Sequence, residues 1–334
     1  MAASCAFAAD FSKVVFTGVW ERTSDYARSS APAAGFSVSV TGGSVSAELE
    51  GEAFFEIFVD GVDQGFVRTS ERKVYPIAKL QGKHLVEVFH RSESLPGDFK
   101  VYSVKVEGGE LLEQSVRLDR KVAFIGDSYT VGYGVEANGP EDGTPFEQTN
   151  TTKAYSFLLS RKLKADYRIF AFSGRGLVRN YAGIVPDWTI PKLIEHTVPG
   201  MAHEGKGGPA YDTSWHPKVV VVFIGINDFQ GDAPRPTEDE FVKEYHRLLA
   251  KLRLEHKGVK FLLLSTRVWP ESLLIPAVER VYNEELAAGN NDVSLKSVVT
   301  ENGALHGHPS KHSQAELAQE LLPIVARLGG WLSR

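Results

Sequence analysis

The hydrophobic period of this 334-residue chain changes once, near residue 118, and that change limits the folds open to it. Before it, apolar and polar residues alternate. Phe36, Val38 and Val40 interleave with Ser37, Ser39 and Thr41, and beyond Gly42-Gly43 the residues Val45, Ala47 and Leu49 interleave with Ser46, Glu48 and Glu50. A period of two is the mark of a strand with one buried face, and two such runs around a glycine pair predict a hairpin. FFEIFVDG (54–61) ends at another turn pair, Asp60-Gly61, and KHLVEVFHR (83–91) and the alternating Tyr102, Val104 and Val106 add strands. With no helical stretch among them, residues 12–118 predict an all-β domain, a β-sandwich or jelly roll.

From 119 to 334 the pattern differs. KVAFIGD (121–127), YRIFAFSG (167–174), KVVVVFIG (218–225), VKFLLLST (259–266) and NDVSLKSVV (291–299) are short apolar runs, several of them nearly continuous. Strands buried on both faces of a parallel sheet read this way. Helical patterns lie between them. Thr237 and Glu240 make a capping box, after which Phe241, Tyr245, Leu248, Leu249 and Leu252 fall on one face; Leu317, Leu321, Ile324 and Leu328 do the same near the end. Alternating strand and helix predicts an α/β domain, whose ligands bind beyond the carboxyl ends of the strands.

Bulk properties narrow the partners. The formal net charge is −5, with no long basic run, which argues against nucleic acid. No window of about 18 apolar residues exists to span a membrane. The single cysteine, Cys5, allows no internal disulfide and no Cys/His zinc spacing, and the histidines lack metal-ligand spacing, so neither metal nor cofactor is expected. The opening MAASCAFAAD reads either as the trimmed end of an export signal or as a disordered start.

Three strand ends and a late histidine carry polar residues of a particular kind: Gly126-Asp127-Ser128, Ser173-Gly174, Gly225-Ile226-Asn227-Asp228 and His308-Pro309. Each alone is an ordinary turn, helix cap or surface histidine. Together they offer a hydroxyl, a bare glycine N–H, an amide donor and an imidazole. A serine nucleophile needs a base and donors for its oxyanion.

FIGDSYTVGYG, FSGRGLVRNY, VVVFIGINDF and HGHPSKHSQAELAQEL resemble the four sequence blocks of the SGNH (GDSL-type) hydrolases. More narrowly, domain order, FVDG (58–61), GKHLVEVFHRSES (82–94) and SGRGLVRNY (173–181) resemble carbohydrate esterase family 2, over about residues 12–330. The resemblance implies a flavodoxin-like SGNH domain (119–334) preceded by a jelly-roll or β-sandwich domain (12–118). It implies Ser128 as nucleophile and His308 as base. The N–H groups of Ser128 and Gly174 and the side chain of Asn227 would form the oxyanion hole, with Asp127 in support. The superfamily usually places an aspartate two or three residues before the base; here those positions are Leu305 and His306, so a Ser-His dyad with a backbone carbonyl orienting His308 is expected. Gly307 stands where relatives often carry an aromatic residue.

The stretch 180–217 contains Trp188, Tyr211, Trp215, His196, His203 and His216. It reads either as a surface excursion with buried aromatics or as a rim that stacks sugar rings. Tyr133 and residues 141–155 would form the opposite rim, with His306 in the pocket wall. The implied activity is a metal-independent serine esterase on acetylated xylan, mannan or glucomannan, favouring 6-O-acetyl groups. It would be secreted or periplasmic, and monomeric. The alternatives are a lipase or thioesterase, a sugar transacetylase, and an inert carbohydrate-binding protein.

Overall fold

The structure, a computed structural model, describes residues 10–93, 97–114, 118–199 and 208–332. Cys5, His203 and the opening segment before Asp10 lie outside the described residues. Two compact units emerge: Met1–Arg117 with Thr197–Pro209, and Leu118–His196 with Ala210–Arg334.

The first unit is antiparallel and sandwich-like. Its strands are β1 (Val15–Thr17), β2 (Glu21–Arg22), β3 (Ala27–Ser29), β4 (Gly35–Glu50), β5 (Ala53–Val59), β6 (Val62–Thr69), β7 (Lys73–His90), β8 (Phe99–Glu107) and β9 (Leu111–Leu112). They pair in the order β2-β3-β8-β4-β7-β5-β6, with β1 and β9 also on β4. Asp60-Gly61 makes the expected tight turn between β5 and β6, with φ of 51° and 81°. The hairpin expected at Gly42-Gly43 is absent. β4 runs straight through the pair, because the segments on both sides hydrogen bond to the same partner, β7. The two glycines, at φ 120° and 92°, kink the strand at a register shift instead of reversing it.

The second unit holds the parallel sheet. β10 (Arg120–Gly126), β11 (Ala165–Ala171), β12 (Val219–Phe223), β13 (Lys260–Ser265) and β14 (Val293–Ser297) pair in the order β11-β10-β12-β13-β14. Every residue of β12 is buried, as its unbroken apolar run predicts. Helices Tyr155–Leu163, Glu238–Glu255, Leu274–Ala287 and Lys311–Gly329 connect or follow the strands. The capping box on Thr237 and Glu240 is present in full. No helix among the described residues is long and apolar enough to cross a membrane.

This order has a consequence for function. The chain leaves β10 for a neighbour on one side and returns to its other side, so the crevice beyond Gly126 is the topological switch point. Gly126 is closely packed there. A Cβ at this position would lie 2.7 Å from Thr130 Cβ and 2.9 Å from the Phe223 carbonyl oxygen. Gly126→Ala is therefore expected to destabilise the fold by about 1–3 kcal/mol through overpacking, read as a lower midpoint in thermal or urea unfolding.

Candidate active site

Asp127 ends the β10 turn and caps a short helix, Ser128–Val131, its Oδ1 accepting from the Tyr129 N–H at 3.1 Å. Ser128 is thereby placed just past the carboxyl end of β10, 5% exposed. His308 reaches it from the turn before helix Lys311–Gly329. Ser128 Oγ and His308 Nε2 are 2.9 Å apart, and His308 Nδ1 lies 3.0 Å from the Leu305 carbonyl oxygen. The group facing Nδ1 is thus a backbone carbonyl. A carbonyl can only accept, so Nδ1 carries the proton and Nε2 presents its lone pair to the serine hydroxyl. Burial pushes the His308 pKa down to about 4, against the smaller opposing effect of the Leu305 carbonyl.

Gly174 and Asn227 come to the same crevice on the loops after β11 and β12. Gly174 adopts φ 73°, and its carbonyl accepts from the Tyr181 N–H at 2.9 Å. Asn227 Nδ2 donates to the Arg175 carbonyl at 2.9 Å and, at 3.3 Å, to Asp127 Oδ2. Only by yielding the longer bond could this amide serve an oxyanion.

The sequence reading missed what fixes these loops. Asp228, read there as a helix cap, is fully buried and accepts the N–H groups of Leu177, Val178 and Arg179 at 2.8, 2.7 and 3.0 Å. Arg179 answers by donating to the carbonyls of Asn227, Asp228, Gln230 and Ala233. Asn180, also fully buried, accepts from Gly176 N–H and donates to the carbonyls of Ile184, Val185 and Trp188. Gly176 must be bare, since a Cβ there would lie 2.9 Å from Asp228 Cγ. The only sequence signal was the SGRGLVRNY block itself.

The expected rim divides. Tyr133 and His306 stand beside the dyad: the Tyr133 ring centroid is 4.4 Å from that of His308, and its hydroxyl is hydrogen bonded to His306 Nδ1 at 3.0 Å. Tyr181, 46% exposed, lies on the loop tied to Gly174 and was not singled out from sequence. Trp188 packs against Lys192 and His196 on the same loop excursion. Trp215 is a correction. It is 8% exposed, donates to Asp166 Oδ2 at 2.6 Å, and lies under Lys121. Asp166 and Lys121 are second residues of β11 and β10, so Trp215 sits by the amino ends of the strands and Ser128 by the carboxyl ends. With Tyr211 and His256 it lines a cavity of about 200 Å³ that contains none of the site residues. Its apolar neighbours and the Asp166 carboxylate hold it in the fold rather than at the mouth. Among the described residues, no three His, Cys, Asp or Glu side chains gather as a metal site.

Residues 124–308, more than half of the chain, match the model of the GDSL-like lipase/acylhydrolase family. The chain belongs to that family. Residues 17–114 match the carbohydrate esterase 2 N-terminal domain. A cellulase/esterase of Acetivibrio thermocellus is 28% identical over 302 residues, which are 87% of this chain and 36% of that protein. The chain thus spans about a third of that relative. An acetylxylan esterase/glucomannan deacetylase of Cellvibrio japonicus is 25% identical over 314 residues, 90% of this chain and 84% of the relative. A solved family two carbohydrate esterase from Clostridium thermocellum, in complex with cellohexaose, has the same fold, with a TM-score of 0.87 and 24% identity over 96% of this chain and 100% of that one.

For this member of the family, the depressed His308 pKa makes a prediction independent of activity. In folded protein the His308 ring is expected to stay neutral at pH 6 and to titrate with a midpoint near 4, followed by NMR. Because the unfolded state binds this proton first, the contribution of His308 to stability is full above about pH 6.5 and falls as pH drops toward 4.

Proposed function

We propose that the chain is a serine carbohydrate esterase that removes O-acetyl groups from xylan, mannan or glucomannan, or from their oligosaccharides, without a metal or cofactor. The observation that carries this is the 2.9 Å Ser128 Oγ–His308 Nε2 contact at the switch point of the sheet. The substrate class is supported by the names of the relatives.

The reaction runs in two steps. Ser128 Oγ attacks the acetyl carbonyl carbon as His308 Nε2 takes its proton. The charge on the carbonyl oxygen is met by the N–H groups of Ser128 and Gly174 and by Asn227 Nδ2, which gives up its long bond to Asp127. The ester C–O bond then breaks, the sugar oxygen leaves with the proton from His308, and an acetyl group remains on Ser128. Water, giving its proton to His308, attacks that acetyl group; acetate leaves and Ser128 regains its hydrogen. Asp127 has a supporting role through its cap to Tyr129 and its contact with Asn227. The preferred position is the 6-hydroxyl of a hexose unit, and the protein works as a monomer outside the cytoplasm, where such polymers are.

Acetate release from acetylated xylan and acetylated glucomannan, measured with a chelator present, tests the proposal. Ser128→Ala is expected to lower turnover by more than about 10⁴-fold. Asn227→Ala is expected to lower it by about 10²–10³-fold. Release that persists in Ser128→Ala overturns the reading.

A further inference from the structure

A base that forms a cation in the transition state needs orientation and a counter-charge, and a carbonyl gives little of either. The Leu305 oxygen and Ser128 Oγ each meet His308 at one ring nitrogen, and neither bond fixes the tilt of the ring plane about the line joining them. What closes the ring's remaining freedom is aromatic. Tyr133 lies with its centroid 4.4 Å from the imidazole and its plane at 40° to it; Tyr129 presents an edge at 5.7 Å, its hydroxyl accepting from Asn302 at 2.8 Å. A cation within about 6 Å of an aromatic centroid, over the ring face, is attracted by the ring quadrupole.

Tyr133 is itself held. Its hydroxyl is hydrogen bonded to His306 Nδ1 at 3.0 Å. His306 occupies the left-handed region, φ 51° and ψ 31°, a conformation uncommon outside glycine though histidine adopts it more readily than most. Its own N–H donates to the Pro140 carbonyl at 2.8 Å, which fixes that conformation. An exposed residue is thus held by its backbone with its ring against the Tyr133 hydroxyl.

We propose that Tyr133 and His306 are positioning residues for His308, Tyr133 supplying the ring-plane restraint and cation stabilisation that a triad carboxylate supplies elsewhere, and His306 fixing Tyr133. The inference rests on the esterase reading, since it acts on His308 as base. When Ser128 Oγ–H gives its proton to Nε2, the imidazolium forms against the Tyr133 face. The other ionisable groups around it are Tyr129, His306 beside Tyr133, and Asp127 behind Ser128. Of the residues that flank it in sequence, Lys311 is ion paired with Glu136 and Glu301 accepts from Ser310.

The test measures kcat and KM for 4-nitrophenyl acetate across pH with the full chain, alongside thermal unfolding of each variant. Tyr133→Leu is expected to lower kcat about 10-fold or more, with KM changed less than about twofold and the acid limb of kcat/KM moved to lower pH, because the imidazolium has lost its partner. Tyr133→Phe keeps the ring face and is expected to lose only about threefold. His306→Ala removes the same hydrogen bond, so the double variant Tyr133→Phe/His306→Ala is expected to be no worse than either single one, and His306→Gln to recover part of the loss. A raised KM with kcat and the acid limb unmoved in Tyr133→Leu makes Tyr133 a substrate contact and overturns the proposal. If Tyr133→Leu does not fold, additive losses in the Phe/Ala cycle overturn it instead. The Ser128→Ala control separates the two readings: full turnover there fails the esterase assignment itself, whereas its loss alongside an unmoved Tyr133 profile fails only the positioning role.

Discussion

A carboxyl group out of reach of water needs hydrogen-bond partners in place of its solvent, and Asp228 finds three of them in consecutive backbone N–H groups of the loop after β11. Burial pushes its pKa up and those three bonds oppose the shift. The consequence is geometric. Asn227 precedes Asp228 on the loop after β12, and Gly174 begins the loop that Asp228 grips. The two residues proposed as oxyanion donors are therefore spaced by one buried side chain, and Arg179, donating back to four carbonyls around Asn227 and Asp228, keeps that spacing from relaxing. Donors held in advance are worth more than donors that must be gathered, because no reorganisation is spent when charge develops.

Much of this was legible in the sequence, for a definite reason. The five parallel strands announce themselves because burial on both faces demands continuous apolar runs, as in Val219–Phe223. Ser128, Gly174, Asn227 and His308 were singled out because the chemistry of a serine nucleophile asks for those groups at successive strand ends, and the structure brings Ser128 and His308 within hydrogen-bond reach. The backbone carbonyl facing His308 Nδ1 was expected from an absence, Leu305 and His306 standing where an acid was wanted. What was misread shares a different trait. Gly42-Gly43 permits either a reversal or a kink, and only the long-range pairing of β4 with β7 on both sides decides between them. Trp215 was assigned by residue type to the rim, while its place is set by Asp166, 49 positions away. Asp228 was read as a helix cap because its true partners are backbone groups of another loop, which leave no trace in residue identity.

The charge state of the pocket follows from its burial. His308 is held neutral at ordinary pH, and burial pushes Asp127, with Asp228 nearby, up to about 8. Between about pH 4 and 8 the two groups flanking Ser128 are both uncharged. Asp127 then meets Asn227 as a neutral acid, whose oxygen is a weaker acceptor than a carboxylate, and the 3.3 Å bond between them is correspondingly easy to release. In the esterase reading, the first charges to appear beside Ser128 are the ones the reaction makes, an oxyanion and an imidazolium. They arise in a poorly solvated crevice, where fixed dipoles act strongly and a standing carboxylate near the oxyanion would oppose it. A protonated Asp127 removes that opposition, and a carbonyl and an aromatic face in place of a triad carboxylate keep the base side neutral as well. The two features thus belong to one arrangement, in which the groups on either side of Ser128 stay neutral at ordinary pH and, in the esterase reading, the reaction makes the charge there.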